Sequence, residues 1–109
     1  MNDSVLKDLY AVVEDRKSNP QEGSYTCYLF DKGLDKILKK VGEECAETII
    51  AAKNNVQADT VGEISDLLYH LIVMMAEQNI PLEAVLGELE IRSKKIGNLK
   101  QMKVVDHNT

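Results

Sequence analysis

The 109-residue sequence has no tryptophan, two prolines, two cysteines and an aromatic content of 5%. So little aromatic area leaves the core to aliphatic side chains, and so few prolines leave room for long helices. Cys27 and Cys45 match no zinc or redox spacing, and both are expected to be reduced structural thiols. No apolar run approaches the ~18 residues of a membrane span. Met1-Asn2-Asp3-Ser4 lacks the basic start and apolar stretch of a secretory signal. A cytoplasmic protein with no membrane partner is therefore expected. Basic charge is also short, with a net charge of −5. That balance argues against nucleic acid as a partner, because a phosphate backbone needs a basic footprint. An anionic substrate would have to be met by a bridging cation or by a local basic patch. There is no glycine-rich phosphate loop of the Walker type and no Ser-His-Asp pattern.

What is present is ordinary globular composition, 44% hydrophobic and 28% charged, in a length that allows one domain over 1–109. Such a chain buries a modest core, which favours sharing surface with a second subunit. Asp3 or Ser4 can cap a first helix that carries Val5, Leu6, Leu9, Val12 and Val13 at helical spacing. Turn chemistry over 18–24 ends it. Tyr25-Thr26-Cys27-Tyr28-Leu29-Phe30 is β-prone but has no evident strand partner, so an ordered loop or helix entry is expected there.

A second helix is expected from about Asp31 to Lys53, with Leu34, Ile37, Leu38, Val41, Cys45, Ile49 and Ala52 as its apolar stripe. Thr60-Val61-Gly62-Glu63 has the capping-box pattern. It predicts a third helix to about Gln78 through Ile64, Leu67, Leu68, Leu71, Ile72 and Met75. Pro81, at a first helical position, opens a fourth with Leu82, Val85, Leu86, Leu89 and Ile96. The core is expected over about 3–96, followed from Gly97 by an unstructured polar tail. The predicted fold is an all-α bundle of four to five helices.

The chemistry lies in two acidic clusters. On the second helix Glu43, Glu44 and Glu47 share a sector of roughly 100° with Lys36 and Lys40. On the third, Glu63, Asp66 and His70 lie together beside the apolar face. Packing the two apolar faces brings Glu44, Glu47, Glu63 and Asp66 toward one another. Carboxylate pairs on two facing helices supply hard oxygen ligands for Mg²⁺, which usually also holds substrate phosphates and waters. A carboxylate not used for metal can take a proton from an attacking water.

A charge run on a helix is most often a solvated face. Here Glu43 with Glu47, and Lys36 with Lys40, are like charges one turn apart, each pair costing ~0.2–0.5 kcal/mol in an isolated helix. A ridge built for stability alone would mix its signs. For His70 the bland reading is a hydrogen bond to the Asp66 carboxylate, and the functional one is a place near the substrate. Tyr69, Met74 and Met75 read as packing. Gly33 and Gly42 interrupt the second helix at about 1 kcal/mol each relative to Ala.

The pattern of Glu43, Glu44 and Glu47 followed by Glu63 and Asp66 resembles the all-α nucleoside-triphosphate pyrophosphohydrolases, the MazG-like fold. Ser24-Tyr25-Thr26, Lys39-Lys40-Val41-Gly42-Glu43-Glu44 and Asp66-Leu67-Leu68-Tyr69-His70-Leu71 narrow the resemblance to the phosphoribosyl-ATP pyrophosphohydrolase family of histidine biosynthesis. Ile80-Pro81-Leu82-Glu83 resembles the start of that family's last helix. The resemblance implies hydrolysis of phosphoribosyl-ATP to phosphoribosyl-AMP and pyrophosphate, a stand-alone domain and a homodimer whose site lies near helices of both subunits. It implies Glu44, Glu47, Glu63 and Asp66 as ligands of Mg²⁺, or of Mn²⁺ in its place, and Glu43 as the residue that orients or deprotonates water. Lys36 and Lys40 would hold phosphate oxygens. Ser24, Tyr25 and Thr26 would close over the substrate as a loop, with His70 near it. The alternatives are a house-cleaning pyrophosphohydrolase of the same fold and a non-enzymatic helical interaction module.

Overall fold

A computed structural model describes residues 4–95, and among them every regular element is a helix. The order is α1 (Ser4–Ser18), α2 (Tyr25–Lys32), α3 (Leu34–Asn54), α4 (Gln57–Glu77) and α5 (Leu82–Ser93). The all-α architecture matches the expectation. The residues from Gly97 onward, and Ile96, lie outside the described range.

The β-prone aromatic segment is a helix of its own. Gly23 takes a positive φ of 81° and leads into Ser24, whose extended backbone makes it the N-cap of α2. The Ser24 Oγ accepts a hydrogen bond from the Cys27 N–H at 3.2 Å, satisfying one of the donors a helix start leaves orphaned. With no strand to pair with among the described residues, a capped helix is the local solution that satisfies this backbone.

The expected helix over 31–53 is therefore two helices broken at Gly33. There φ is 92° and ψ is −175°, a conformation essentially reserved for glycine. Its N–H donates to Leu29 O at 3.0 Å, closing α2, while its carbonyl accepts from Ile37 N–H to open α3. Asn55, in the left-handed region at φ 58°, ends α3 and turns the chain directly into α4.

Two other starts differ from expectation. α4 begins at Gln57 with Val56 as its N-cap, so the capping box at Thr60 does not form, and the Thr60 Oγ1 donates instead to Val56 O. Pro81 is the N-cap of α5 and not its first helical residue.

The core gathers at one end. Val13, Leu29, Ile37, Ile72, Val73, Met75, Ala76 and Leu82 are buried together, drawn from all five helices. α1 is anchored to the α4–α5 corner by polar contacts. The Tyr10 hydroxyl donates to Ile80 O at 2.7 Å, and Lys17 Nζ donates to Ala76 O at 2.8 Å and to Asn79 Oδ1 at 3.1 Å. A cation on the last carbonyls of α4 complements its helix dipole.

The other half of the α3–α4 hairpin, beyond Ile37 and before Tyr69, extends past this core. The expected apolar stripe is left largely uncovered there. Leu38 is 42% exposed, Ile49 65%, Ile64 43% and Leu68 45%, and Cys45 and Ala52 are also exposed. The periodicity of the stripe is as read from the sequence, but the chain itself supplies nothing to cover it. No described helix is long and apolar enough to cross a membrane.

Candidate active site

The packing of α3 against α4 positions the acidic residues. Glu44 is buried at 6% exposure although it is charged, so it lies on the inner side of α3 with Ile37 and Ala51. Across from it, α4 presents Glu63 and Asp66. One carboxylate oxygen from each of Glu44, Glu63 and Asp66 falls within 4.8 Å of the others. Three like charges this close repel strongly in partly dry surroundings.

The electrostatics carry that mark. Burial, then the neighbouring carboxylates of Glu47 and Asp66, push Glu44 above the usual carboxylate range. Burial, then Glu47, Glu44 and Asp66, do the same to Glu63. The Glu44 Oε2 and Glu63 Oε2 atoms are buried with no hydrogen-bond partner. Two buried, orphaned acceptors in a half-buried acidic cluster are costly, and a divalent cation with hard oxygen ligands is the group that fits them.

Glu47 is not one of the three whose oxygens converge. It is exposed and lines a groove of about 410 Å³ together with Asp59, Glu63 and Asp66. Glu43 faces outward and is held by Lys40, whose Nζ is 3.3 Å from Glu43 Oε1 and 3.8 Å from Glu44 Oε1. The hydrogen bond to Glu43 holds the Lys40 ammonium above its ordinary pKa. Lys36 lies one turn earlier, and its Nζ is 6.0 Å from the centre of the Tyr28 ring.

His70 departs from the hydrogen bond expected for it. It is buried at 5% exposure, and its Nδ1 is 2.7 Å from the main-chain oxygen of Asp66, not from the carboxylate. A carbonyl only accepts, so Nδ1 carries the proton. In the neutral ring Nε2 then accepts from the Tyr25 hydroxyl at 3.0 Å. Both ring nitrogens are engaged within the protein.

Ser24, Tyr25 and Thr26 are the N-cap and first residues of α2, not a loop. The Thr26 hydroxyl is hydrogen-bonded to the Tyr69 hydroxyl, so Tyr69 does more than pack. Burial raises the Tyr25 phenol above its ordinary pKa, against the opposing pull of Lys40. Tyr25 thus stands between His70 on one side and the Lys40–Glu44 region on the other.

Two residues of this region escaped the reading of the sequence. Thr48 Oγ1 lies 2.7 Å from Glu44 O and 3.4 Å from Glu63 O, clasping α3 to α4 beside the carboxylates. Its position four residues after Glu44 was the available signal. Asp59 lines the same groove as Glu47, and its place one turn before Glu63 carried the same hint.

Known proteins resemble this chain along most of its length. A family model described as phosphoribosyl-ATP pyrophosphohydrolase matches residues 6–93. A phosphoribosyl-ATP pyrophosphatase of Listeria monocytogenes serotype 4b is 56% identical over 102 residues, covering 94% of this chain and 98% of the relative. One of Clostridium acetobutylicum is 56% identical over 97 residues, 89% of this chain and 88% of the relative. One of Clostridium novyi is 52% identical over 99 residues, 91% and 90% respectively.

Proposed function

The chain belongs to the phosphoribosyl-ATP pyrophosphohydrolase family and is a hydrolase of histidine biosynthesis; we propose that it cleaves phosphoribosyl-ATP to phosphoribosyl-AMP and pyrophosphate in a Mg²⁺-dependent reaction on the α3–α4 carboxylates. The single observation that carries the metal reading is the pair of buried, unpartnered oxygens, Glu44 Oε2 and Glu63 Oε2. Glu44, Glu63 and Asp66 hold the ion, with Glu47 joining from the groove side; Mn²⁺ has the same ligand preference and can substitute. When bound there, Mg²⁺ supplies positive charge against the polyphosphate and lowers the pKa of a coordinated water.

The remaining work falls to this chain's side chains. Glu43 orients the attacking water and takes its proton on a carboxylate oxygen. Water oxygen bonds to phosphorus at the α–β linkage as the bond to the departing pyrophosphate breaks. Lys40, beside Glu43 and Glu44, holds phosphate oxygens and offsets their charge. The first turn of α2 borders the site, where Ser24, Tyr25 and Thr26 limit water access and shape the substrate's seat.

A second copy of the chain is the natural cover for Leu38, Ile49, Ile64 and Leu68. They are exposed apolar residues on the two helices that carry the carboxylates. We infer a homodimer on this face, which places the site at the subunit boundary. The free thiols of Cys27 and Cys45 and a nucleotide substrate are consistent with the cytoplasm.

The test is pyrophosphate release from phosphoribosyl-ATP, run beside ATP, dATP, dCTP and dUTP. Selective cleavage of phosphoribosyl-ATP is expected. Preference for a free nucleotide would move the protein to house-cleaning chemistry, and no release from any substrate would point to an interaction module.

A further inference from the structure

Outside the carboxylate cluster, the junction of α2 and α3 gathers the chemistry that the cluster leaves unused. Tyr25 and Tyr28 are stacked, with ring centres 6.0 Å apart and planes 23° from parallel. Both stay open to solvent, at 45% and 42% exposure. Over the Tyr28 ring sit two ammonium groups, Lys32 Nζ at 5.8 Å from one helix and Lys36 Nζ at 6.0 Å from the next. The break at Gly33 lets both reach one ring. Among the described residues neither lysine has an ion-pair partner, in contrast to Lys40. Asp31 and Asp35 each precede a lysine by one residue and so sit about 100° away around their helices.

Two unpaired cations held over an exposed aromatic face in a chain of net charge −5 form a local basic patch. Its place relative to the carboxylates is set by α3. Lys36 precedes Glu44 by eight residues, which is about 12 Å along the helix at ~1.5 Å per residue. Lys40 lies between them. The patch is thus out of reach of a group bound at Glu44 but within reach of the far end of an extended nucleotide.

Resting on the functional reading above, the chemistry of the substrate fits this separation. Phosphoribosyl-ATP differs from ATP by a second ribose that bears its own phosphate. That phosphate is a monoester carrying about −1.5 to −2 charge at neutral pH. We propose that Lys32 and Lys36, steadied on Tyr28, bind this ribosyl phosphate and so make the enzyme select phosphoribosyl-ATP over ATP. Lys40 serves the triphosphate end. The adenine ring between the two ends lies along the exposed Tyr25–Tyr28 stack.

The experiment compares Lys32→Gln, Lys36→Gln and the double variant with the unsubstituted protein. It measures kcat and KM for phosphoribosyl-ATP, and the inhibition constant of ATP as a competitor in the same assay. Each single change is expected to raise the KM for phosphoribosyl-ATP about tenfold, the loss of one charge-assisted hydrogen bond. The double change raises it further, while kcat and the ATP inhibition constant stay within about twofold. Lys36→Arg, which keeps the charge, restores most of the affinity. A KM that does not move, or an equal loss of affinity for ATP, would overturn the proposal. Failure of the unsubstituted protein to cleave phosphoribosyl-ATP would instead overturn the functional reading, and the proposal with it.

Discussion

The His70 Nε2 lies 3.0 Å from the Tyr25 hydroxyl, and this contact ties α4 to the start of α2 beside the carboxylate cluster. The Asp66 main-chain oxygen fixes the imidazole from the other side. The two contacts together hold the Tyr25 hydroxyl in place. Tyr25→Phe is expected to lower kcat about tenfold, the worth of one partly buried hydrogen bond expressed only when the site is assembled. His70→Asn keeps a donor for Asp66 O but removes the acceptor for Tyr25, and should cost about the same. The double variant should be no worse than either single one. Steady-state kinetics with a circular dichroism control checks this, and additive losses would break the link.

Glu44→Gln should stabilise the metal-free protein while removing its response to Mg²⁺. The folded-state pKa values of Glu44 and Glu63 are raised by burial and by their neighbours. Their contribution is therefore fully favourable below the unfolded carboxylate pKa of about 4.3 and is lost as pH rises through the raised folded value. At neutral pH the ionised cluster works against the fold. The variant's Tm should exceed that of the unsubstituted protein by about 4 °C at pH 7.5 without metal. The gap should close as pH falls into the carboxylate range, where a protonated Glu44 in the unsubstituted protein is as neutral as the glutamine that replaces it in the variant. Added Mg²⁺ should raise only the unsubstituted Tm. Thermal melts with chelator and with Mg²⁺ check both halves.

These two sites show how unevenly the sequence can be read. Three of the four expected carboxylates, Glu44, Glu63 and Asp66, were legible because each borders the apolar face of its helix, whereas Glu47, three residues after Glu44, lines the groove beside them. The partner of His70 was not, because a residue four positions back offers both a carboxylate and a main-chain carbonyl. α2 was hidden by its aromatic run, which has strand propensity, and by Gly33, which reads as a costly residue inside a helix until its positive φ shows that it separates two. The apolar stripe on α3 was legible as a stripe. Whether one chain or two would cover it is not encoded in its period.

Gly33→Ala tests the break itself. No atom lies within 4 Å of where a Cβ would sit, so the cost is conformational and not steric. The residue's positive φ predicts a loss of about 1–3 kcal/mol in denaturant unfolding. The substitution should also disturb the convergence of Lys32 and Lys36 on Tyr28. A neutral effect on stability would mean that the backbone relaxes at this point.

Ile49→Glu tests the homodimer. Ile49 is 65% exposed and touches none of the core, so the substitution has little to disturb within one chain. Sedimentation should show a dimer for the unsubstituted protein and a shift toward monomer for the variant, since a charge at the centre of an apolar interface is strongly unfavourable. Unchanged sedimentation would exclude this face.

If the α3–α4 carboxylates hold a divalent ion, hydrolysis depends on that ion and on those side chains. Pyrophosphate release from phosphoribosyl-ATP, followed against free Mg²⁺ for the unsubstituted protein and for Asp66→Asn, tests it most directly. Activity is expected to saturate with Mg²⁺ and to vanish with chelator. In Asp66→Asn turnover is expected to fall by at least about 100-fold with the helical signal intact. Full activity in chelator, or an Asp66→Asn enzyme as fast as the original, would contradict that dependence.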